Sequence, residues 1–196
     1  MNSHFQTRRQ RIMDHVLNFI KSRRSTRKFT DVPVPEESLR KVLEAGRYAP
    51  SGRNVQQTHF IVVKNKAVLD RLAELVRDAF ARTSEPRGNG YVFHYNPNIL
   101  IITANTLDNP NNLADCACAL ENMMLMANAL DLGSCWINQL KQLPEDPALV
   151  SYLKELGMAD NERVFGALAL GYADTEDGKP ERTPKERKGN PVTIVE

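Results

Sequence analysis

Cysteine is scarce in this chain of 196 residues: only Cys116, Cys118 and Cys135 occur. An odd, small number with no framework spacing argues against a disulfide-stapled secreted scaffold. Cys116 and Cys118 stand two apart on an expected helix and so point to different sides. No further His or Cys stands at usable metal spacing beside them, and His4, His15, His59 and His94 form no such spacing either. No apolar run reaches membrane-span length. The N-terminus is basic but lacks an apolar stretch, which argues against a signal peptide and makes a cytoplasmic location the expectation. There is no Gly-x-Gly-x-x-Gly and no Walker loop, so the usual dinucleotide and triphosphate cradles are missing. No Gly-x-Ser-x-Gly or other local nucleophile motif is present. A net charge of +2 leaves no global case for nucleic acid.

What the chain does have is an uneven distribution of cations. Arg23-Arg24-Ser25-Thr26-Arg27-Lys28-Phe29 packs four cations and two hydroxyls into six residues before an aromatic. The preceding Met13 to Lys21 reads as an amphipathic helix, with Val16, Leu17, Phe19 and Ile20 as its apolar members. Pro33 and Pro35 forbid helix afterwards, so the cations sit where a helix gives way to extended chain. Arg offers a planar fork of donors to a phosphate and Ser adds a short hydroxyl, although such runs also serve simply as solvated surface. A second basic group, Lys179, Arg182, Lys185, Arg187 and Lys188, lies near the other end. Two basic segments at opposite ends of one chain can converge on one anion.

Between them, helical and β-type stretches alternate. Pro35 opens a second helix that stops before Pro50. Ala49-Pro50-Ser51-Gly52-Arg53-Asn54-Val55-Gln56-Gln57 is a loop rich in amides and hydroxyls, either an ordinary turn or a holder for a polar heterocycle. His59–Val63 and Asn98–Ala104 read as buried strands, with a helix over Lys66–Arg82 between them. Thr83–Tyr91 is a glycine-containing candidate lid, followed by Tyr91, Phe93, His94 and Tyr95, which either line a pocket or pack the loop down. Leu113–Leu132 is apolar nearly all round, so it is buried on most sides, by a partner subunit or inside a larger core. Gly133 is expected to end it. Ser134–Ile137 is β-type, Pro144–Leu156 is helical with a break at Pro147, and Arg163–Tyr172 is an apolar strand. A polar tail then leads to Val192–Val195, which is strand-like and suited to adding to a distant sheet edge, on this subunit or another. The expected class is α+β: a small mixed sheet wrapped in helices. What is absent and what is present together suit an organic cofactor that brings its own chemistry.

Three ordered motifs resemble those of the nitroreductase family of flavin mononucleotide (FMN) enzymes, over roughly residues 13 to 196. They are Arg23-Arg24-Ser25-Thr26-Arg27-Lys28-Phe29, Ala49-Pro50-Ser51-Gly52-Arg53-Asn54-Val55-Gln56 and Pro184-Lys185-Glu186-Arg187. The resemblance implies an intertwined homodimer with FMN at the interface. It divides the chain into a basic N-terminal arm (1–12), an α+β body (13–175) and a C-terminal arm (176–196) that wraps the partner. By that likeness Arg23, Lys185 and Arg187 hold the cofactor's phosphate, with Ser25 beside it, and Arg24 counts among the cofactor-binding residues. Arg27 reaches the pyrimidine edge as a charge stabiliser. Pro50, Ser51, Asn54 and Gln56 meet the flavin, in some members from the other subunit, and Cys135 and Trp136 lie near the ring. The implied reaction is ping-pong: NADH or NADPH reduces the flavin, and a nitroaromatic, quinone or related acceptor reoxidises it. The chain departs from the family in carrying Gln57-Thr58 where Pro-Trp is frequent. The rivals are a specialised reaction on the same fold, such as reductive dehalogenation, and a non-enzymatic flavin- or anion-binding protein.

Overall fold

Four stretches rich in β-branched and apolar residues make the sheet: β1 (His59–Val63), β2 (Ile99–Thr106), β3 (Gly133–Ile137) and β4 (Glu162–Gly171). The computed structural model describes residues 3–196, with side chains from residue 12 onward. The helices are α1 (Ser3–Ser22), α2 (Glu36–Arg47), α3 (Lys66–Ala81), α4 (Asn112–Ala129) and α5 (Pro147–Glu155), with short 3-10 turns at Gly52–Asn54 and Gln139–Gln142. The sheet order is β1-β2-β4-β3. All pairings of the named strands are antiparallel, and the parallel component of the expected mixed sheet is confined to a single bridge between Ser25 and Ser134. Residues 1 and 2 and the side chains before residue 12 lie outside the described residues, so the basic N-terminal arm enters only as helical backbone from Ser3.

Alternation along the strands builds two cores. Ile61, Val63, Leu100, Ile102, Val164, Ala167, Ala169, Cys135 and Ile137 face the layer of α3 and α5. Ile99, Ile101, Leu168, Leu170 and Trp136 face the layer of α2 and α4. Each fully buried Leu or Ile contributes about 1.5–3 kcal/mol by leaving water, so covering both faces is what holds a four-stranded sheet. Among the described residues, no helix is long and apolar enough to cross a membrane.

Local rules set the helix ends, and two of them differ from expectation. Asn65 caps α3 by accepting from the Ala67 and Val68 N–H groups at 2.9 and 3.3 Å. Pro147 does not break a helix but begins one: it occupies the first turn of α5, and the Asp146 carboxylate caps the Leu149 N–H at 3.1 Å. Arg82 pairs with the same Asp146 and holds the carboxyl below its ordinary range against the opposing pull of burial. Helix α4 ends before Gly133. Asp131 takes the left-handed conformation (φ 57°), and the Leu132 N–H reaches back to the Ala127 carbonyl at 2.9 Å. Gly133 is needed for another reason: a Cβ there would stand 2.7 Å from the Thr26 side chain. The strand-like Val192–Val195 forms no strand within its own subunit, where Val192, Ile194 and Val195 are 82%, 79% and 91% exposed.

The aromatic run after the lid is divided in its use. Phe93 and His94 are buried, whereas Tyr91 and Tyr95 are only partly so. His94 donates from Nε2 to the Leu69 carbonyl at 3.0 Å and accepts at Nδ1 from the Asn96 N–H at 3.1 Å. That pattern requires the neutral ring, and burial pushes its pKa below the ordinary 6.5, against the bond to Leu69 and the charge of Asp70. Below pH 6.5 the unfolded chain therefore binds a proton that the folded chain resists, and stability falls as pH drops through this window. Thermal melts at neutral and mildly acidic pH are expected to show this loss in the native chain and a flatter dependence in His94→Gln. Equal slopes in the two proteins would remove His94 as the cause.

Candidate functional site

Two polar clusters hold most of the expected site residues, and α4 lies between them. The first is built on β3, an edge strand of the sheet. The basic segment crosses that edge: Ser25 bridges Ser134, the Thr26 N–H donates to the Ser134 carbonyl at 2.9 Å, and Phe29 bridges Ala173. The Thr30 N–H to Tyr172 carbonyl bond and the Asp174 N–H to Lys28 carbonyl bond, both 3.0 Å, continue the seam. Gly133 and Gly171 make the close approach possible, because a Cβ at Gly171 would stand 3.0 Å from the Phe29 ring.

The seam leaves the polar ends of the segment outward. Ser25, Arg27 and Lys28 are exposed and Arg23 and Arg24 are partly so. Arg23 leans on Glu121 of α4 at 3.7 Å, a loose pair worth little beside solvent. Arg24, Arg27 and Lys28 form no ion pair among the described residues, although Arg27 lies over the Tyr95 ring at 5.8 Å. Cys135 sits directly beneath this segment. Burial raises its thiol pKa, with the charges of Arg27 and Arg23 and a hydrogen bond from Ser25 acting the other way. Cys116 is similarly pushed up to about 11 by burial. Both are kept as thiols, which denies them a nucleophilic role at neutral pH. Trp136 is turned away from Cys135 by the strand's alternation. It faces the α4 layer over Gly166 and donates its indole N–H to Asn138 at 3.0 Å. It is therefore not brought to the Ser25–Arg27 cluster.

The second cluster is the loop after α2. Arg53, Asn54 and Gln56 have φ values of 55°, 57° and 52°. Left-handed backbone at non-glycine residues costs on the order of 1–3 kcal/mol each and persists only where the surroundings hold it. Internal hydrogen bonds do part of this: Gln56 N–H to Ser51 Oγ at 3.0 Å, Asn54 N–H to the Ser51 carbonyl at 2.9 Å and Val55 N–H to the Gly52 carbonyl at 3.2 Å. The result is a loop that turns Asn54 and Gln56 outward, both exposed. Ser51 and Gln56 line a cleft of about 190 Å³ with Thr58, Phe60, Asp115 and Ala119. Pro50 and Asn54 border a larger open groove of about 1000 Å³ between α2 and the edge strand β1.

Three residues belong to the loop's support that sequence reading did not single out: Asp115, Asn109 and Asn105, all buried. Asp115 accepts from the Gly52 N–H at 2.9 Å and from Asn109 Nδ2 at 3.0 Å. Asn109 also donates to Asn105 Oδ1 at 3.2 Å. The available signal was a carboxylate in the first turn of an otherwise apolar helix.

The clusters are separate within one chain. Asp115, which holds the loop, and Glu121, which meets Arg23, are six residues apart on α4, about 9 Å at 1.5 Å per residue. Lys185 and Arg187 join neither cluster. They lie on the exposed C-terminal segment and form no ion pair among the described residues. The root of that segment is fixed by Arg182, which donates to the Asn128 carbonyl and to Asp131 at 2.5 Å each, at the C-terminal end of α4.

A model of the nitroreductase family matches residues 20–172. The crystal structure of a nitroreductase with bound FMN from Bacteroides fragilis is 38% identical, covering 92% of this chain and 98% of that one, with a TM-score of 0.84. An FMN-dependent nitroreductase from Clostridium difficile is 30% identical, covering 82% and 88%, with a TM-score of 0.66. An NADPH-flavin oxidoreductase of Vibrio harveyi is 26% identical, covering 88% of this chain and 71% of that protein.

Proposed function

The chain belongs to the nitroreductase family, and from that premise we propose that it is an FMN-dependent NAD(P)H oxidoreductase acting as a homodimer. The observation that carries the reading is the donor set of the two clusters together with the cations of the exposed C-terminal segment. Arg24, Arg27, Lys185 and Arg187 have no carboxylate partner among the described residues, and Ser25 is exposed beside two of them. Free guanidinium forks with a hydroxyl suit a phosphate, and exposed carboxamides at Asn54 and Gln56 suit the edge of a heterocycle. This set fits a phosphorylated flavin.

When bound, FMN supplies the hydride chemistry, from NADH or NADPH to a nitroaromatic, quinone or related acceptor in a ping-pong cycle. The chain's residues bind and orient. Arg23, Arg24, Ser25, Lys185 and Arg187 hold the phosphate. Arg27 keeps a fixed positive charge where negative charge develops, which is worth most when it is positioned in advance. Pro50, Ser51, Asn54 and Gln56 border the ring. Cys135 stays a neutral thiol and excludes water beneath the basic segment.

A second copy completes the site. Within one chain the two clusters lie at different points along α4, and a second copy that brings its own loop against the basic segment would enclose a single cofactor. The apolar surface agrees with this. Ile12, Met13, Val16, Leu17 and Ile20 form a stripe on α1 that is 47–57% exposed. Leu113 and Cys118 lie exposed on α4. The body of residues 13–175 thus carries an arm, 176–196, whose apolar Val192, Ile194 and Val195 are free to lie along the open edge of β1 in the partner.

The first test is the visible absorption spectrum of the purified protein, followed by heat release of any chromophore. Flavin bands and released FMN are expected, with turnover of NADH or NADPH and a nitroaromatic or quinone. A colourless protein that also fails to bind added FMN would overturn the reading, and a flavin-loaded protein without turnover would overturn the activity.

A further inference from the structure

Among the described residues, one hydrogen bond holds the loop carrying Ser51, Asn54 and Gln56 to the rest of the chain. Among the described residues, the bonds made by residues 50–57 are internal to the loop except for the Gly52 N–H, which donates to Asp115 Oδ1 at 2.9 Å. The acceptor is 63 residues away and 4% exposed. Three left-handed residues follow this tether within four positions. Their strain needs an external hold, because internal bonds travel with the loop when it shifts.

Asp115 is built to provide that hold. It sits in the first turn of α4, where the N–H groups of the helix favour negative charge. Its second oxygen accepts from Asn109 Nδ2 at 3.0 Å, and Asn109 is fixed in turn by Asn105 and by the Asn111 N–H at 2.9 Å. With both oxygens engaged, the acid presents its Oδ1 to the Gly52 N–H in one fixed orientation. The position is also tight: a Cβ at Gly52 would fall 2.2 Å from the Asn111 amide nitrogen. The loop is thus pressed onto the start of α4 at Gly52 and hydrogen-bonded there.

We propose that Asp115 is a positioning residue for cofactor binding: its carboxylate fixes Gly52 and through it the orientation of Ser51, Asn54 and Gln56. This rests on the reading that the loop borders FMN. The role assigned to Asp115 runs through Gly52. It decides whether the amides are presented in one geometry or in many.

The test compares Asp115→Ala and Asp115→Asn with Leu149→Ala, which removes a buried side chain of α5 in the core on the other face of the sheet and takes no part in the network around Asp115. FMN titration of each protein, the visible circular dichroism of the bound cofactor and hydrogen exchange across residues 50–57 are the readouts. Asp115→Ala is expected to weaken FMN binding about 10- to 100-fold, the scale of a lost charged hydrogen bond. Asp115→Asn should do so less, because its amide oxygen still accepts from Gly52 while its NH2 opposes that of Asn109. Both should speed exchange of the loop amides. Leu149→Ala should leave FMN affinity within about threefold even though it lowers the melting temperature. FMN affinity that follows thermal stability alone across all three variants would overturn the proposal, as would slow loop exchange retained in Asp115→Asn. Failure of the native protein to bind FMN would instead overturn the underlying reading. Should Asp115→Ala not fold, the asparagine variant decides the question by exchange and titration together.

Discussion

With FMN bound, Arg27→Ala is expected to lose about 10²–10³-fold in turnover with NAD(P)H, the typical cost of removing one pre-positioned group that stabilises developing charge. Two features of Arg27 support this. It forms no ion pair among the described residues, so its charge is not cancelled locally. It lies over the face of Tyr95 at 5.8 Å, which constrains direction without neutralising it. Arg27→Lys keeps a charge but loses the planar fork, and should fall between the two. The effect should appear in the rate of the reductive half-reaction measured at saturating FMN. Activity within a fewfold of the native protein, with flavin fully loaded, would assign Arg27 to packing against Tyr95 and the lid instead.

The residues of that cluster were legible because they are local. Arg23 to Phe29 lie within seven positions, and the helix-to-extended transition around them follows from α1's apolar spacing and from Pro33 and Pro35. The same holds for the strands. Four short β-type runs separated by helical stretches leave little choice but a small sheet with helices on both faces, as the two cores either side of it show. The lid was ambiguous for a physical reason. Tyr91, Phe93, His94 and Tyr95 are all aromatic, and only the chain's turn, with Tyr95 at φ 62°, decides that Phe93 and His94 go inward while Tyr95 meets Arg27.

What was not legible depends on long-range pairing. Asp115 reads in the sequence as an interruption of an apolar helix, because its partner Gly52 is 63 residues away. Gly133 reads as a helix stop because glycine is the commonest residue there. Its actual constraint comes from Thr26, more than a hundred positions earlier. Asp131 takes the stop instead, since aspartate is one of the few residues that tolerate the left-handed turn, and its carboxylate meets Lys179 and Arg182. The resemblance sets Trp136 near the ring together with Cys135, whereas strand alternation sends the two side chains to opposite faces. In each case the local sequence delimits the segment, and a contact from far along the chain decides what the residue meets.

Removing residues 184–196 is expected to have the largest effect on the cofactor and on assembly together. The cut leaves Arg182 in place on the Asn128 carbonyl and Asp131, so the root of the arm stays folded. It deletes Lys185 and Arg187, two cations with no partner in their own subunit among the described residues. A charged hydrogen bond to a phosphate contributes on the order of 1.5–3 kcal/mol, so losing two should weaken FMN binding by roughly 10²–10⁴-fold. The cut also deletes Val192, Ile194 and Val195, which are nearly fully exposed on their own subunit. Side chains of this kind are kept apolar when something covers them, so the truncated protein should shift toward monomer in sedimentation or light scattering. Two narrower variants separate the causes. Lys185→Ala with Arg187→Ala should release FMN while leaving the dimer, and Val192→Ser with Ile194→Ser and Val195→Ser should weaken the dimer first and lose FMN only as subunits part. Full FMN affinity in the truncated monomer would mean that the cofactor needs neither the arm nor the second subunit, and that the two clusters on α4 serve different ligands.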